Sequence, residues 1–394
     1  MSDAAAVKAP NSFGGLTVKQ GSSQHRMFQL FGWGVFALVA IIVPYVLPNF
    51  RVSQVAQAIA FGVAILGMNL VIGYGGLISL GHVAFMGMGA YTTTILVNDS
   101  RWDVWMTLPV VVVVCFLFGL AVGMPALKIK GLYLALVTFA LAYTFPILLK
   151  IESGGIARRT GGDNGKNLAE GVKPPEWARA ITGTKGKTPP QQIAIYQYWC
   201  LLILAALCFL VVRNLIKSRP GRALIAIRDN QIGAAVSGVN LSLYKVTSFG
   251  ISASITGLGG SMLAVVLNSV GPTSFDANYA ILLIMGLVLG GVATLHGCWI
   301  GGLLMVFIQD LSSRVKFTAI PFFKIEKGSP LTRAVFGLVL VLVAFFIPGG
   351  VMAGCKRLKA KLIRVIPTVP EAPAVESGSS PVGVAESSLS GATR

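Results

Sequence analysis

Apolar runs separated by short polar gaps dominate the chain from Phe28 to Ile347. A helix needs about 20 apolar residues to cross a hydrocarbon core of about 30 Å, so each long run predicts a membrane helix. The first covers about Phe28–Leu47, with Pro44 and Pro48 near its end. The second, Val52–Ile72, carries Gln54 and Gln57 in its opening turns. A third ends near Val97, before the polar tip Asn98-Asp99-Ser100-Arg101. Val104–Met124 is the fourth, closed by Lys128 and Lys130, and Gly131–Leu149 the fifth, with Pro146 as a kink site. Ile193–Val212 and the run from Lys245 to Leu267 follow. Tyr279–Val292 and Cys298–Ile308 are each too short for an upright span, and predict either two tilted spans or two half-helices meeting at Thr294–Gly297. The last runs from about Ala334 to Ile347, before Pro348-Gly349-Gly350. The fold class is therefore all-α and polytopic, with about 8–10 transmembrane helices.

The entry into the third span breaks this pattern. Gly73–Ala90, GYGGLISLGHVAFMGMGA, is apolar yet too rich in glycine for an ordinary span. An unpaired backbone group in hydrocarbon is costly, so irregular backbone there survives only against protein or beside a water-filled path. The stretch predicts a broken or closely packed helix lining a route through the membrane. It also has an echo: Gly75-Gly76-Leu77-Ile78-Ser79-Leu80-Gly81-His82 aligns with Gly290-Gly291-Val292-Ala293-Thr294-Leu295-His296-Gly297. Gly-interrupted apolar segments at corresponding places in two halves mark a transport site at a repeat interface, although glycine also recurs wherever membrane helices pack tightly. Gly75, Gly76, Gly290 and Gly291 are the candidate gate glycines. Ser79 and Thr294 are candidate pathway hydroxyls with His82 nearby; back-bonding to a helix carbonyl and a satisfied packing role are the competing readings.

Composition narrows the class. Of 394 residues 54% are hydrophobic and 12% charged, against about 25% charged in a soluble domain, and the mean hydropathy is +0.75. The 32 Lys and Arg exceed 14 Asp and Glu, but the positive charge sits between apolar runs, which fits loops that fix orientation and meet anionic lipid rather than a nucleic-acid surface. Met1–Gln24 is polar and predicts no cleavable signal peptide. Cys115, Cys200, Cys208, Cys298 and Cys355 form no CxxC, so free thiols are expected, with no metal site.

Two polar segments carry candidate contacts. Residues 150–192 leave the membrane and contain Thr160-Gly161-Gly162-Asp163-Asn164-Gly165, a turn-rich run that either offers backbone N–H groups and a carboxylate to a partner or is a solvated loop. Residues 213–245 concentrate Arg213, Lys217, Arg219, Arg222 and Arg228 in one short stretch, the mark of the cytoplasmic side. Within it Gly221–Asn240, too polar to span, predicts a helix that lies on the lipid surface or docks in a partner's groove, where Ala234, Ala235 and Gly238 allow close approach.

GYGGLISLGHVAFMGMGAYT, TGGDNG, GRALIAIRDNQIGAAVSGVN, GLVLGGVATLHGCWIGG and the terminal FFIPGG together resemble the integral membrane subunits of bacterial branched-chain amino acid ABC importers, most closely the LivM-type permease. The resemblance covers roughly Phe28–Gly354, and permeases for urea and short amides look much alike. It implies a type II-like importer fold with an internal pseudo-repeat, a LivH-like permease partner, LivG-like and LivF-like ATPases, and an external substrate-binding protein. It assigns Gly221, Arg222, Arg228, Asp229, Ala234, Ala235 and Gly238 to ATPase coupling, and Thr160, Gly161, Gly162 and Asp163 to contact with the binding protein. Gln231 stands where the family carries an acid. A bacterial inner membrane, both termini cytoplasmic, and the division 1–27, 28–354 and 355–394 follow as expectations.

The chain is expected to do no covalent chemistry and to hold no cofactor, ATP being used by partner subunits. It has no GxxxxGK[ST] run: Gly186-Lys187-Thr188 lacks the glycine five residues earlier, where Ile181 stands. An ion-coupled secondary transporter would need an ionisable relay, and apart from His82 and His296 the spans offer none. HExxH and GxSxG are absent too.

Overall fold

The computed structural model describes residues 16–19, 38, 40–126, 131–152, 155–168, 174–182, 184, 186, 188–314, 337, 349–354 and 363–366. Most of the expected first and last spans, Lys128 and Lys130, residues 315–333 and the tail Pro367–Arg394 lie outside the described residues; of the first span, 40–46 is helical. The chain divides into two units. In the smaller, β1 (Leu16–Lys19) pairs in parallel with β4 (Ile363–Ile366), a short strand pair not foreseen in an otherwise helical chain.

The larger unit is a bundle. Its helices are α1 (Asn49–Asn69, continued by a π-helical turn Leu70–Tyr74), α2 (His82–Ser100), α3 (Val104–Ala126), α4 (Leu132–Leu148), α5 (Ile156–Thr160), α6 (Glu176–Ile181), α7 (Pro189–Lys217), α8 (Arg219–Asp229), α9 (Gln231–Val236), α10 (Leu241–Leu267), α11 (Ala277–Gly290) and α12 (Gly297–Arg314). Among the described residues four helices are long and apolar enough to cross a membrane: Asn49–Tyr74, Val104–Pro125, Pro189–Lys217 and Leu241–Leu267.

Helix α10 is the axis, packed against α1, α2 and α3. Its most apolar window is 89% buried, against 28% for α3 and α7, and the sequences say why. The outer helices are rich in Val, Leu and Ile, which suit lipid, whereas α10 carries Ser248, Ser252, Ser254, Thr256, Gly257, Gly259, Gly260 and Ser261, all buried. Small residues let membrane helices approach backbone to backbone, and hydroxyls bond across them. Gly89 on α2 lies against the main chain of Gly257, and Gly260 against that of Met86. Thr93 and Ser261 hydroxyls meet at 2.7 Å, and Ser254 Oγ donates to Val112 O on α3 at 2.9 Å. Asn240 and Asp276 cap α10 and α11, accepting from Leu243 N and Tyr279 N, each at 3.1 Å.

Helix α10, 27 residues long, separates two ends by about 40 Å at 1.5 Å per residue. Helices α8 and α9 and the last turn of α1 lie at one end. At the other, β2 (Lys166–Asn167) pairs antiparallel with β3 (Ser269–Val270), just after α10. The predicted single helix Gly221–Asn240 is instead two. Asn230 adopts an extended φ/ψ of −154/103 and caps α9, its side chain accepting from Gly233 N at 2.9 Å. An Asn that bonds the backbone three residues on favours a helix start over a helix interior.

Candidate functional site

The two glycine motifs form two breaks of the same design. Residues 75–81 are non-helical between α1 and α2, and 291–296 between α11 and α12. Aligned positions share their conformation: Gly76 and Gly291 take positive φ, +67° and +114°, and the helices that follow begin at the aligned His82 and Gly297. Only glycine adopts such φ readily, so the glycine pairs mark where each chain half turns. Helix length sets the depth of the first. Helix α1 with its π turn runs 26 residues to Tyr74, about 39 Å, which exceeds a core of about 30 Å. The first break therefore lies at the end of a full span, on the side of α8, rather than midway through the membrane.

Each break has backbone groups that its own helix does not bond, and polar side chains from elsewhere hold it; in the first, Leu80 N donates to Thr138 Oγ1 on α4 at 3.0 Å. Asn69, fully buried at the end of α1, accepts from Ala293 N at 2.9 Å through Oδ1 and donates to Thr294 O at 3.1 Å through Nδ2. Arg228, on α8, donates from an Nη to Gly73 O at 2.9 Å and stacks its stem on Gly76, where an added Cβ would fall 2.6 Å from Arg228 Cγ. Gly73 in turn lies against Ala293, an added Cβ falling 2.7 Å from its nitrogen. A continuous path of contacts thus runs from Arg228 through the first break to the second. Gly291 is backed by Gly349 O, 3.1 Å from where a Cβ would stand, and Gly350 lies against Gly291, which gives the glycines of FFIPGG a place in the same cluster.

The predicted pathway residues are close to these breaks but bonded inward. Ser79 is buried, its Oγ 3.4 Å from Gly81 N. Thr294 donates its hydroxyl to Gly291 O at 2.6 Å. His82 is buried with Nε2 2.8 Å from Ser252 Oγ, which itself donates to Gly67 O at 2.6 Å. The serine proton being committed, the imidazole donates from Nε2 and its Nδ1 is the bare nitrogen. Gly75 and Gly290 are buried, Gly75 against Val71 O and Gly290 against the main chain of Gly297. Asn69 is the member that sequence reasoning missed; Gly73 opened the glycine stretch there without being given a role. An amide in the last turn of the span, far from Gln54 and Gln57 in its opening turns, is the signal that marks Asn69.

The expected coupling residues divide by exposure. Gly221 is buried against Leu215 and Ile216, where it permits the tight turn from α7 to α8. Arg222 is exposed and donates to Lys217 O at 3.0 Å, and Asp229 pairs with Arg228 at 2.8 Å. On α9 Ala234 packs inward while Ala235, Ile232 and Val236 face out, the last two 79% and 85% exposed. Gly238 ends α9 at φ +81° with open space around it. At the opposite end, Thr160 is buried and donates to Leu149 O at 2.7 Å. Gly161 and Gly162 take positive φ, and Asp163 pairs with Lys150 at 2.6 Å while remaining largely exposed. Lys166 pairs with Asp99, and Asn98 donates to Asn167 O at 2.7 Å. The TGGDNG turn is thereby stapled to the end of α2 as a shaped surface.

An open cleft of about 300 Å³ lies at that same end, between α1, α10, α11 and α12. Gln54, Gln57, Gln309, Asp310 and Tyr279 are among its lining residues, and Phe61, Leu263 and Val306 supply its apolar part. Ser79, His82 and Thr294 do not line it. No group of three or more metal-ligating side chains occurs among the described residues.

Residues 51–344 match the family model described as branched-chain amino acid transport system / permease component. The chain is 28% identical over 308 residues to the high-affinity branched-chain amino acid transport system permease protein LivM of Salmonella typhimurium, covering 75% of this chain and 69% of that one. It is 30% identical over 294 residues to its namesake in Escherichia coli, covering 70% and 67%. A shorter likeness, 28% over 111 residues and 27% and 34% of the two chains, links it to the ribose import permease protein RbsC of Haemophilus influenzae. No solved structure matches.

Proposed function

The chain belongs to the branched-chain amino acid transport permease family, and on that premise we propose that it is the multi-pass membrane subunit through which an ATP-driven importer carries branched-chain amino acids. A urea or short-amide cargo is the alternative, and no observation on this chain favours it. The breaks, α8 and α9 face the cytosol, the side that the basic residues Arg213, Lys217, Arg219 and Arg222 mark. ATP is bound and hydrolysed on separate LivG-like and LivF-like subunits, a LivH-like permease completes the pore, and an external binding protein meets the Thr160–Asp163 turn. The membrane is the bacterial inner membrane.

The contact of Arg228 with Gly73 and Gly76 carries the mechanism. Exposed Ile232 and Val236 on α9 give an ATPase an apolar hold. A push there reaches the breaks through Arg228, and Asn69 passes it to the second break. The breaks then act as a cytoplasmic mouth, with no relay of protons and no covalent step. A ligand does work here only through differential contact with two arrangements, and the charge-assisted bond of Arg228 to a backbone carbonyl, worth about 1.5–3 kcal/mol, is a contact that can differ between them.

Uptake of labelled leucine into proteoliposomes holding the assembled complex and its binding protein tests the reading. ATP inside the ATPase compartment is expected to be necessary, and uptake sustained by a proton gradient alone overturns the proposal. Arg228→Ala should lower leucine uptake about tenfold or more, the ratio that 1.5 kcal/mol represents, while ATP hydrolysis continues. Equal loss of both activities would remove Arg228 from the coupling path. Gly238→Ala and Gly238→Arg both carry the strain of positive φ, about 1–2 kcal/mol, but only Arg adds bulk beside Val236. We expect co-purification of the ATPases to survive the first and fail with the second; indistinguishable behaviour would show that α9 does not dock.

A further inference from the structure

The cytosolic end of α7 combines a lipid-facing apolar surface with a cluster of cations. Ile203, Leu207 and Leu210 are exposed on one face of this helix, and Lys217 continues that face two turns on, with the exposed Arg213 one turn before it. The face is built of large aliphatic residues, which suit lipid, rather than the small ones through which membrane helices pack. Helix length fixes the depth of the charges. The apolar run Ile193–Val212 spans about 30 Å at 1.5 Å per residue, the thickness of a hydrocarbon core, so Arg213 stands at its edge and Lys217 about 6 Å beyond. There the chain turns. Ser218 is extended, the exposed Arg219 opens α8, and Gly221 lies against Leu215 and Ile216, which folds α8 back onto the end of α7. Arg222 closes the corner by donating to Lys217 O at 3.0 Å. Asp229, the single acid between 193 and 245, is taken by Arg228, and among the described residues no carboxylate pairs with Arg213, Lys217 or Arg219.

We propose that this corner binds the phosphate headgroup of one anionic phospholipid of the cytoplasmic leaflet, with its acyl chains along Ile203, Leu207 and Leu210. Positive charge that only orients a membrane protein has to lie somewhere in the loop. Here it lies at headgroup depth at the end of a lipid-facing stripe, an arrangement that a phospholipid matches from phosphate to chain. Arg213 offers a planar fork of donors suited to phosphate oxygens, and Lys217 a compact point charge beside it. A protein occupant fits less well, because the stripe lies within hydrocarbon, out of reach of a cytosolic ATPase, whereas the apolar hold for such a partner, Ile232 and Val236, is on α9. A bound headgroup fixes the start of α8. The other end of that helix, about 14 Å away at 1.5 Å per residue, carries Arg228 and its bond to Gly73 O. The lipid site stands whatever the cargo; only its effect on uptake rests on the import reading above.

A fluorescent phosphatidylglycerol titrated into the purified full complex in neutral detergent, beside a phosphatidylcholine with the same fluorophore, reads the site directly. Arg213→Gln combined with Lys217→Gln is expected to weaken phosphatidylglycerol binding about thirtyfold, the ratio for two cations at a membrane surface, and to leave phosphatidylcholine within about twofold. Each single replacement, which serves should the double variant fail to insert, is expected to weaken it about fivefold. Arg158→Gln combined with Arg159→Gln removes the same charge from exposed positions at the opposite end. That end lies beyond a Debye length of about 10 Å, so the affinity should stay within about twofold. The proposal is overturned if the two pairs weaken binding alike, if neither does, or if phosphatidylcholine falls in step. It is overturned too if the ATPases no longer co-purify with the Arg213→Gln, Lys217→Gln variant, which would give these cations to a protein partner. In liposomes of phosphatidylcholine alone, leucine uptake by the parental complex is expected to fall to that of the double variant, and added phosphatidylglycerol to restore only the parental complex. Uptake indifferent to phosphatidylglycerol would overturn the hold of the headgroup on α8. The import reading fails separately: it is lost if no lipid supports ATP-driven leucine uptake, whatever the titration shows.

Discussion

Gly89→Val is expected to leave almost no folded permease in the membrane. Gly89 on α2 faces the main chain of Gly257 on α10, and a Cβ there would overlap the Gly257 carbonyl. A side-chain obstacle can rotate away, but a backbone one cannot, so the two helices must separate. Overpacking in a tight core costs about 1–3 kcal/mol when side chains can adjust, and this case lies at or above the top of that range. Separation would also stretch two cross-helix bonds, Thr93 to Ser261 at 2.7 Å and His82 to Ser252 at 2.8 Å. Gly233→Ala on α9, where the nearest atom to an added Cβ is 3.4 Å away, serves as the comparison and should fold normally. Size-exclusion profiles of the two variants, each tagged with a fluorescent protein, decide the matter. A monodisperse peak of parental height for Gly89→Val would refute the proposed packing of α2 on α10.

Asn69→Leu should lower thermal stability and abolish uptake together. The side chain meets Ala293 N and Thr294 O; removing it leaves the part-buried Ala293 N–H without its acceptor, at about 1–3 kcal/mol, while Thr294 O keeps the contact from Cys298 Sγ at 3.5 Å. Leucine matches asparagine in size closely enough that packing is not the main loss. Asn69→Asp keeps the acceptor for Ala293 N but gives up the donor to Thr294 O, and should fall between the two on a melting curve of the purified complex. If Leu and Asp behave alike, the amide is not what holds the second break. If Leu melts at the parental temperature, the break is held by something else altogether.

The hydrophobic pattern was enough to read the helical, membrane-spanning class and to place the edges of most spans within a few residues, because lipid imposes a simple length and polarity rule. The paired glycine motifs were legible as a repeat because their turn requires glycine at Gly76 and Gly291. Depth was not legible. The apolar run Val52–Ile72 did not show that a π turn, Leu70–Tyr74, carries α1 on to the glycine pair Gly75-Gly76, where the helix ends. The kink at Asn230 was hidden because its flanks, Ala226 to Arg228 and Ile232 to Ala235, favour helix on both sides. Asn69 and the Arg51–Asp310 pair escaped notice for a different reason: their partners are more than 200 residues away, and one sequence carries no record of which distant groups meet.

The position of α10 sets an order of assembly. Its neighbours α1, α2 and α3 emerge from the ribosome well over a hundred residues earlier, with Gly89, Thr93 and Gly119 facing a slot that is still empty. Until Leu241–Leu267 arrives, those glycines and hydroxyls meet lipid or water, and the early helices have no reason to hold their native spacing. A ribosome that stalls before Leu241 would release a product made of inserted but loose helices, a ready target for membrane proteases, so quality control can read completion of the whole bundle from the arrival of one late helix.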